Sequence, residues 1–289
     1  MANLIDIRRR IRSVKSTQQI TRAMKFVAAA KLRKAQAQTF AVRPYARRMF
    51  QVIHHLAMRV PDRSHPLLED RGDRRILLVL VSGDKGLCGA YNSNLIKAAY
   101  QFMEERRGAE ITLAVVGKKA YEHFHRRQFT IARSFVDRLG KVDLHLAEQV
   151  SEPLTEGFLG KSYDRVFLLY NQFKSVMQQQ ITVEQLLPIA AVEVEEEEAV
   201  FPLGVDYIYE QPREAIYQDL FPQHVLVQVY RALEESTASE QGARMAAMES
   251  ATKNAGEMIE RLTLFRNRVR QAAITKELIE IVSGAAALG

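Results

Sequence analysis

The sequence predicts an α/β plus long antiparallel coiled-coil fold: N- and C-terminal helices wind on each other, with an α/β domain inserted between them. Three observations carry this. Apolar residues recur in steps of three and four at both ends of the 289-residue chain. The middle changes to short β-branched and leucine-rich runs separated by helical stretches. Proline and glycine cluster where the patterns change.

Residues 3–57 read as one helix, the core of an N-terminal segment 1–57. Leu4, Ile7, Ile11 and Val14 alternate by three and four, and the stripe then shifts to Ile20, Met24, Val27, Ala28, Leu32 and Ala35. Such spacing is the seam of a coiled coil. Polar Gln18 and Thr21 read as interruptions. Pro44 is expected to kink or divide the helix, because proline lacks the amide proton and its ring clashes with the preceding turn. At 1.5 Å per residue the stretch would reach ~80 Å, longer than a compact domain of this size buries. Residues 58–73, with Pro61, Pro66 and Gly72, read as a linker.

Within 74–192, strands are expected at Ile76–Val81, Ile111–Val116, Phe129–Ser134, Arg165–Asn171 and Ile181–Pro188. Helices are expected at Asn92–Arg106, Lys118–His125 and Val142–Leu159. Alternating strands and helices predict a largely parallel, Rossmann-like sheet with helices on both faces. Residues 193–212 carry Glu193, Glu195–Glu198, Pro202, Gly204 and Pro212, and read as an acidic linker or loop. The segment 213–289 returns to helix. After Pro222 its seam includes Met245, Met248, Thr252, Ala255, Ile259, Leu262, Arg266, Val269 and Ala273, then shifts to Ile274, Leu278, Ile281, Ala285 and Leu288.

Composition narrows function. One cysteine, Cys88, allows no internal disulfide and no cysteine-based zinc site. No apolar run approaches the ~20 residues of a membrane span, and the first ten residues carry no signal-peptide pattern. Net charge is +7, but residues 1–50 hold thirteen Lys/Arg and only Asp6, leaving the remainder acidic. An acidic partner is expected at that end: nucleic acid, anionic lipid or an acidic protein surface. Against nucleic acid, aromatics there are few and the cations are spread around the helix.

The loop Ser82–Gly89 stands where phosphate loops occur, after a strand and before a helix. It fits neither G-x-x-x-x-G-K-[ST] nor G-x-G-x-x-G, and a tight strand-to-helix turn is the plainer reading. Cys88 reads as a small buried residue rather than a nucleophile. The histidines show no ligand spacing, and His123 and His125 do not share a helix face. No metal or cofactor is expected. An α/β enzyme using this loop, and a basic coiled-coil nucleic-acid binder, remain as alternatives. Polar Arg266, Arg268, Arg270, Gln271, Thr275, Lys276 and Glu277 fall where the coiled coil should be buried or end; they set register or touch something encircling the helices.

Several separated stretches carry a resemblance. Ile274-Thr275-Lys276-Glu277-Leu278-Ile279-Glu280-Ile281-Val282-Ser283-Gly284-Ala285-Ala286 is the most specific. With it go Asp6-Ile7-Arg8, Thr17-Gln18-Gln19-Ile20-Thr21-Arg22-Ala23-Met24-Lys25, Val27-Ala28-Ala29, Arg43-Pro44-Tyr45, Asp84-Lys85-Gly86-Leu87-Cys88-Gly89 and Ala243-Arg244-Met245. Together, and in order, they resemble the γ subunits of F-type ATP synthases over nearly the whole chain. The resemblance implies a central rotor shaft within three α and three β subunits, its α/β domain lying with the ε subunit and the c-subunit ring, and δ reached only indirectly. Proton flow would turn ring and shaft, and no chemistry would occur on the chain itself. It implies contacts with β at Met24, Arg270, Gln271, Thr275 and Glu277, and a structural role for Arg244. It also implies a peripheral location on the cytoplasmic face of a bacterial membrane, since the dithiol insert of chloroplast members is missing.

Overall fold

A computed structural model describes residues 4–58, 65–176, 178–189 and 213–288. Two compact units divide it: Met1–Ala28 with Arg244–Gly289, and Ala29–Ala243. The first helix, α1, covers Leu4–Met58, and the last, α5, covers Arg213–Leu288.

The sheet lies in the larger unit. Its strands are β1 (Arg75–Val81), β2 (Glu110–Val116), β3 (Ile131–Phe135), β4 (Arg165–Phe173) and β5 (Gln179–Leu187), in the order β3-β2-β1-β4-β5. The first four run parallel; β5 is antiparallel to β4. Helices α2 (Tyr91–Glu105), α3 (Lys118–His125) and α4 (Leu144–Leu159) connect them. Covering both faces explains why β1 reads as an unbroken apolar run, with Ile76 through Val81 all buried. Ile76, Leu78 and Leu80 pack with Leu95, Phe102 and Phe124 of α2 and α3. Leu77, Val79 and Val81 belong to the opposite core, with Val150, Leu154 and Phe158 of α4, Met49 and Ile53 of α1, and Phe221, Val225 and Leu233 of α5. At the entry to the sheet, the Asp164 carboxylate accepts from the Arg75 backbone N–H at 2.9 Å and guanidinium at 2.7 Å, which holds its pKa below the usual carboxylate range.

Several expectations need correction. Pro44 does not divide α1, and α5 likewise runs unbroken through Pro222, within the helix expected from residue 213. Each proline removes one helix hydrogen bond, but both stand beside residues whose burial holds the helix together: Ala46 and Met49, and Phe221 and Val225. The stretch 58–73 is not all linker. Pro66–Leu68 forms a short 3-10 turn whose Leu67 and Leu68 enter the core. Its residues 59–64 lie outside the described residues, as does the acidic run Glu193–Glu198.

The stripe on α1 does not shift. Buried and half-buried positions recur at 7, 11, 14, 18, 21, 25, 28, 32, 35, 39, 42, 46, 49 and 53, alternating four and three throughout. Gln18 and Thr21 therefore belong to the seam, while Ile20 (56%) and Val27 (57%) are exposed. In the smaller unit the seam meets α5 in antiparallel sense. Thr21 Oγ1 lies 2.8 Å from Thr252 Oγ1, which also bonds the Met248 carbonyl at 2.7 Å. Gln18 Nε2 donates to the Thr252 carbonyl at 3.5 Å, and Lys25 Nζ pairs with Glu249 at 2.6 Å. The α5 seam of Met248, Thr252, Ala255, Ile259, Leu262, Arg266, Val269 and Ala273 is buried or half-buried as expected.

Two features of the larger unit generate predictions. Gly117 caps α3 at φ 100°, and a Cβ there would lie 2.2 Å from the Ser82 carbonyl oxygen. Gly117→Ala combines left-handed strain with a backbone clash and should cost about 2–4 kcal/mol, read from the denaturant midpoint of the full chain.

The second concerns two buried titratable groups on α5. Burial, then the nearby Arg231 cation, lowers the His224 pKa from 6.5 to about 4. Burial raises that of Glu234 from 4.5 to about 7, against a hydrogen bond from Tyr230 and the Lys34 charge. The unfolded chain takes up the histidine proton first, so the His224 contribution is lost as pH falls from 6.5 towards 4. The folded chain retains the Glu234 proton longer, so that contribution is lost as pH rises from 4.5 to 7. Over the shared window the two slopes oppose each other. Glu234→Gln should leave the histidine slope exposed. Relative to the parent, its stability should increase between pH 4.5 and 7 by up to about 3 kcal/mol, since each tenfold change in proton affinity is worth ~1.4 kcal/mol. Denaturant titrations at several pH values would read this, and a pH-independent difference would contradict it.

Candidate functional site

In open α/β sheets, ligands bind outside the carboxyl ends of the strands where the strand order reverses. Here that point lies between β1 and β4. The chain's own last helix fills it. Ser239 Oγ donates to the Asn171 carbonyl at 3.0 Å, and Ser236 Oγ accepts from the Asn171 N–H at 3.4 Å. Tyr91 at the start of α2 donates its hydroxyl to the Ser236 carbonyl at 3.0 Å. Glu240 approaches the loop after β1 so closely that a Cβ on Gly83 would lie 2.9 Å from its Oε1.

The loop after β1 is tied to its neighbours through Asp84. Asp84 Oδ1 accepts from the backbone N–H of Lys118 at 3.0 Å and of Asp137 at 2.9 Å, while Oδ2 accepts from that of Leu139 at 2.9 Å. The Lys118 amide stands at the α3 N-terminus and the other two follow β3, so Asp84 ties the loop after β1 to the loops after β2 and β3. Asn92 Oδ1 accepts from Gly83 N–H at 2.9 Å, and Cys88 is buried beneath the turn. The arrangement is the tight strand-to-helix turn that is the plainer reading of Ser82–Gly89. Among the described residues, no three His, Cys, Asp or Glu side chains group as metal ligands.

A second polar set joins three elements. Arg43 on α1 donates through Nε to Glu235 Oε1 at 3.1 Å and through Nη2 to the Phe173 carbonyl at 2.6 Å. Glu235 Oε2 accepts from the Phe173 N–H at 3.2 Å. Sequence reasoning missed this set. The run Glu234-Glu235-Ser236-Thr237-Ala238-Ser239-Glu240-Gln241 has the composition of a solvated helix, yet all but Thr237, which is half-buried, are buried. The available signal was its place between apolar Leu233 and the continuing seam.

In the smaller unit, the sequence-predicted contact residues lie on two helices. Met24 is half-buried on α1, one residue from the Lys25–Glu249 pair. Arg270, Gln271, Thr275 and Glu277 are all exposed on α5, and Thr275 donates to the Gln271 carbonyl at 3.0 Å. Arg244 is nearly buried at 9%. The antiparallel pairing explains the exposure. With Gln18 and Thr21 opposite Thr252, and Lys25 opposite Glu249, the start of α1 at Leu4 falls opposite the region of Val269. Further along α5, residues 274–283 are all exposed, including Ile274, Leu278, Ile279, Ile281 and Val282. Apolar residues gathered on an uncovered helix mark an interaction surface.

Comparison with known proteins agrees with this architecture. The family model described as ATP synthase matches residues 3–288. The ATP synthase gamma chain of Geobacter sp. (strain M21) is 49% identical over 286 residues, covering 98% of both chains. That of Anaeromyxobacter dehalogenans (strain 2CP-C) is 48% identical over 293 residues, covering 100% of both. Among solved structures, a chain of the Tetrahymena thermophila mitochondrial ATP synthase central stalk and c-ring has TM-score 0.61 and 27% identity, covering 80% of this chain and 99% of that one. A chain of the Euglena gracilis mitochondrial ATP synthase, at TM-score 0.69 and 20% identity over 99% of this chain and 94% of that one, shares the fold. With its paired terminal helices, its inserted sheet and its full-length likeness to these relatives, the chain belongs to the ATP synthase gamma chain family.

Proposed function

We propose that the chain is the central rotor shaft of an F-type ATP synthase, transmitting rotation between a proton-driven c ring and the catalytic β subunits. The observation that carries this reading is the bare end of α5, residues 274–283, which outruns its partner helix and exposes apolar side chains. Three α and three β subunits would surround that end. The sheet unit would lie with the ε subunit and the c ring, and δ would be reached only indirectly. Contact with membrane would be peripheral, at the cytoplasmic face. Among the described residues no helix is long and apolar enough to cross a bilayer.

On this reading the chain performs no nucleotide chemistry and needs no cofactor. The filled crevice between β1 and β4 supports this, because the place where such a sheet would take a ligand is occupied by Ser236, Ser239 and Glu240. Work would be done by differential contact. A shaft whose faces differ stabilises one β conformation over another as it turns, and so shifts nucleotide affinity by population. Met24, Arg270, Gln271, Thr275 and Glu277 would make those contacts, and nearly buried Arg244 would support the helices beneath them.

The first test is stoichiometry. Purified from its native membranes, the chain should appear once per three α and three β chains; recovery without them would overturn the reading. Arg270→Ala should slow ATP synthesis in the reconstituted complex by about ten- to a hundredfold, the effect of losing one charge-assisted hydrogen bond. An unchanged rate would remove Arg270 from the contact set. Met24→Lys adds a cation beside Lys25 and should lower proton pumping per ATP hydrolysed while hydrolysis continues. Equal pumping efficiency would remove Met24.

A further inference from the structure

Torque can pass between sheet and helices only through the places where α1 and α5 are fixed to the strands. Most of that attachment is apolar: Ala46, Met49 and Ile53 of α1, and Val225, Val229 and Leu233 of α5, share the core with the sheet. Apolar packing is non-directional. It resists separation, but opposes small rotations of a helix against a sheet only weakly.

The set formed by Arg43, Glu235 and Phe173 differs in kind. It is a closed ring: Arg43 bonds both Glu235 and the Phe173 carbonyl, and Glu235 bonds the Phe173 N–H. One member comes from each of α1, α5 and the carboxyl end of β4. Hydrogen bonds weaken steeply as their angles depart from linear. The Glu235 side chain is 1% exposed, so a rotation that opens the ring strands a buried carboxylate. Ser236 and Ser239 also bond β4 through Asn171, but the ring alone among these bonds takes in α1 as well, so it opposes rotation of both helices at once.

We propose that the Arg43–Glu235–Phe173 ring is the torsional joint that fixes both long helices to the sheet, making Arg43 and Glu235 positioning residues for rotary coupling. This rests on the rotor reading. The polarity of the ring is specific, since Phe173 offers one donor and one acceptor at fixed places. An ordinary ion pair survives reversal of its charges; this ring does not, because reversal sets arginine against the N–H and glutamate against the carbonyl.

The test uses the complete complex, with α3β3 immobilised and a rotation probe attached to the sheet unit. The angular spread of the probe during pauses is recorded, together with proton pumping per ATP hydrolysed in vesicles. Arg43→Lys, which keeps the charge but loses the planar fork, and Glu235→Gln should each broaden the spread and lower pumping per ATP, with hydrolysis retained. The double reversal Arg43→Glu with Glu235→Arg should stay broad. If Glu235→Gln fails to assemble, Arg43→Lys supplies the same readout. A parental spread in Arg43→Lys, or its restoration by the double reversal, would overturn the joint. Failure of the parent chain itself to assemble with α3β3 would overturn the rotor reading, and the joint with it.

Discussion

The alternation of four and three along α1, unbroken from position 7 to position 53, is the constraint from which the rest follows. A buried position every 3.5 residues stays on one side of a helix only if that helix under-winds around a partner. No isolated helix of this composition could keep such a stripe in water, so α1 cannot be ordered alone. In the smaller unit the partner is α5, whose stripe through Thr252, Ala255 and Ile259 repeats the same alternation. The stripe includes polar members. A Thr21–Thr252 contact stabilises less than a leucine pair would, but only one alignment lets the two hydroxyls meet while Gln18 reaches the Thr252 carbonyl. Register is specified at some cost in stability.

The larger unit shows the opposite use of polarity. Segment 234–241 brings carboxylates, hydroxyls and an amide into an interior, where unpaired groups are expensive. Three of them, Glu235, Ser236 and Ser239, are bonded to backbone atoms at the carboxyl end of β4. The strand's last peptide groups therefore find partners on a helix rather than on another strand. A crevice that elsewhere receives a ligand has become a seat for structure. Asp84 likewise spends its carboxylate on the backbone amides of Lys118, Asp137 and Leu139. Both arrangements tie neighbouring segments together, and they do so with side chains that could have lined an active site.

The legible parts of the fold were those governed by one local rule. The apolar run of β1, the α3 span Lys118–His125 and the α5 seam from Met248 to Ala273 follow from periodicity alone. The misread parts were those where tertiary contacts outweighed a local preference. Pro44 and Pro222 are helix breakers by propensity, yet core packing carries the helix through each. Ile20 and Val27 looked like seam because they are apolar, and Gln18 and Thr21 looked like gaps because they are polar; strict spacing, rather than hydrophobicity, would have placed all four. The contact residues on α5 were read from motif resemblance, and their exposure follows from the helix register. The Arg43–Glu235 ring could not be read, because its members are 192 positions apart and its third member contributes only backbone atoms.

The two ends of the pairing impose different demands on side-chain chemistry. Where α1 and α5 are bonded to the sheet, the Glu235 carboxylate is buried and its partner Arg43 half-buried, and the bonds are directional and few. Along the exposed length of α5 they are solvated: Lys276 and Glu280 sit 3.5 Å apart, each 63% exposed. Solvated pairs contribute about 1 kcal/mol or less and exchange partners readily. A surface that must form and release contacts repeatedly cannot use strong ones, since each bond made would have to be broken at the next step. A joint that must hold its angle cannot use weak ones. Burial converts one kind of charge pair into the other, and the chain buries the Glu235 carboxylate where its helices meet the strands while leaving Lys276 and Glu280 wet where α5 runs beyond its partner.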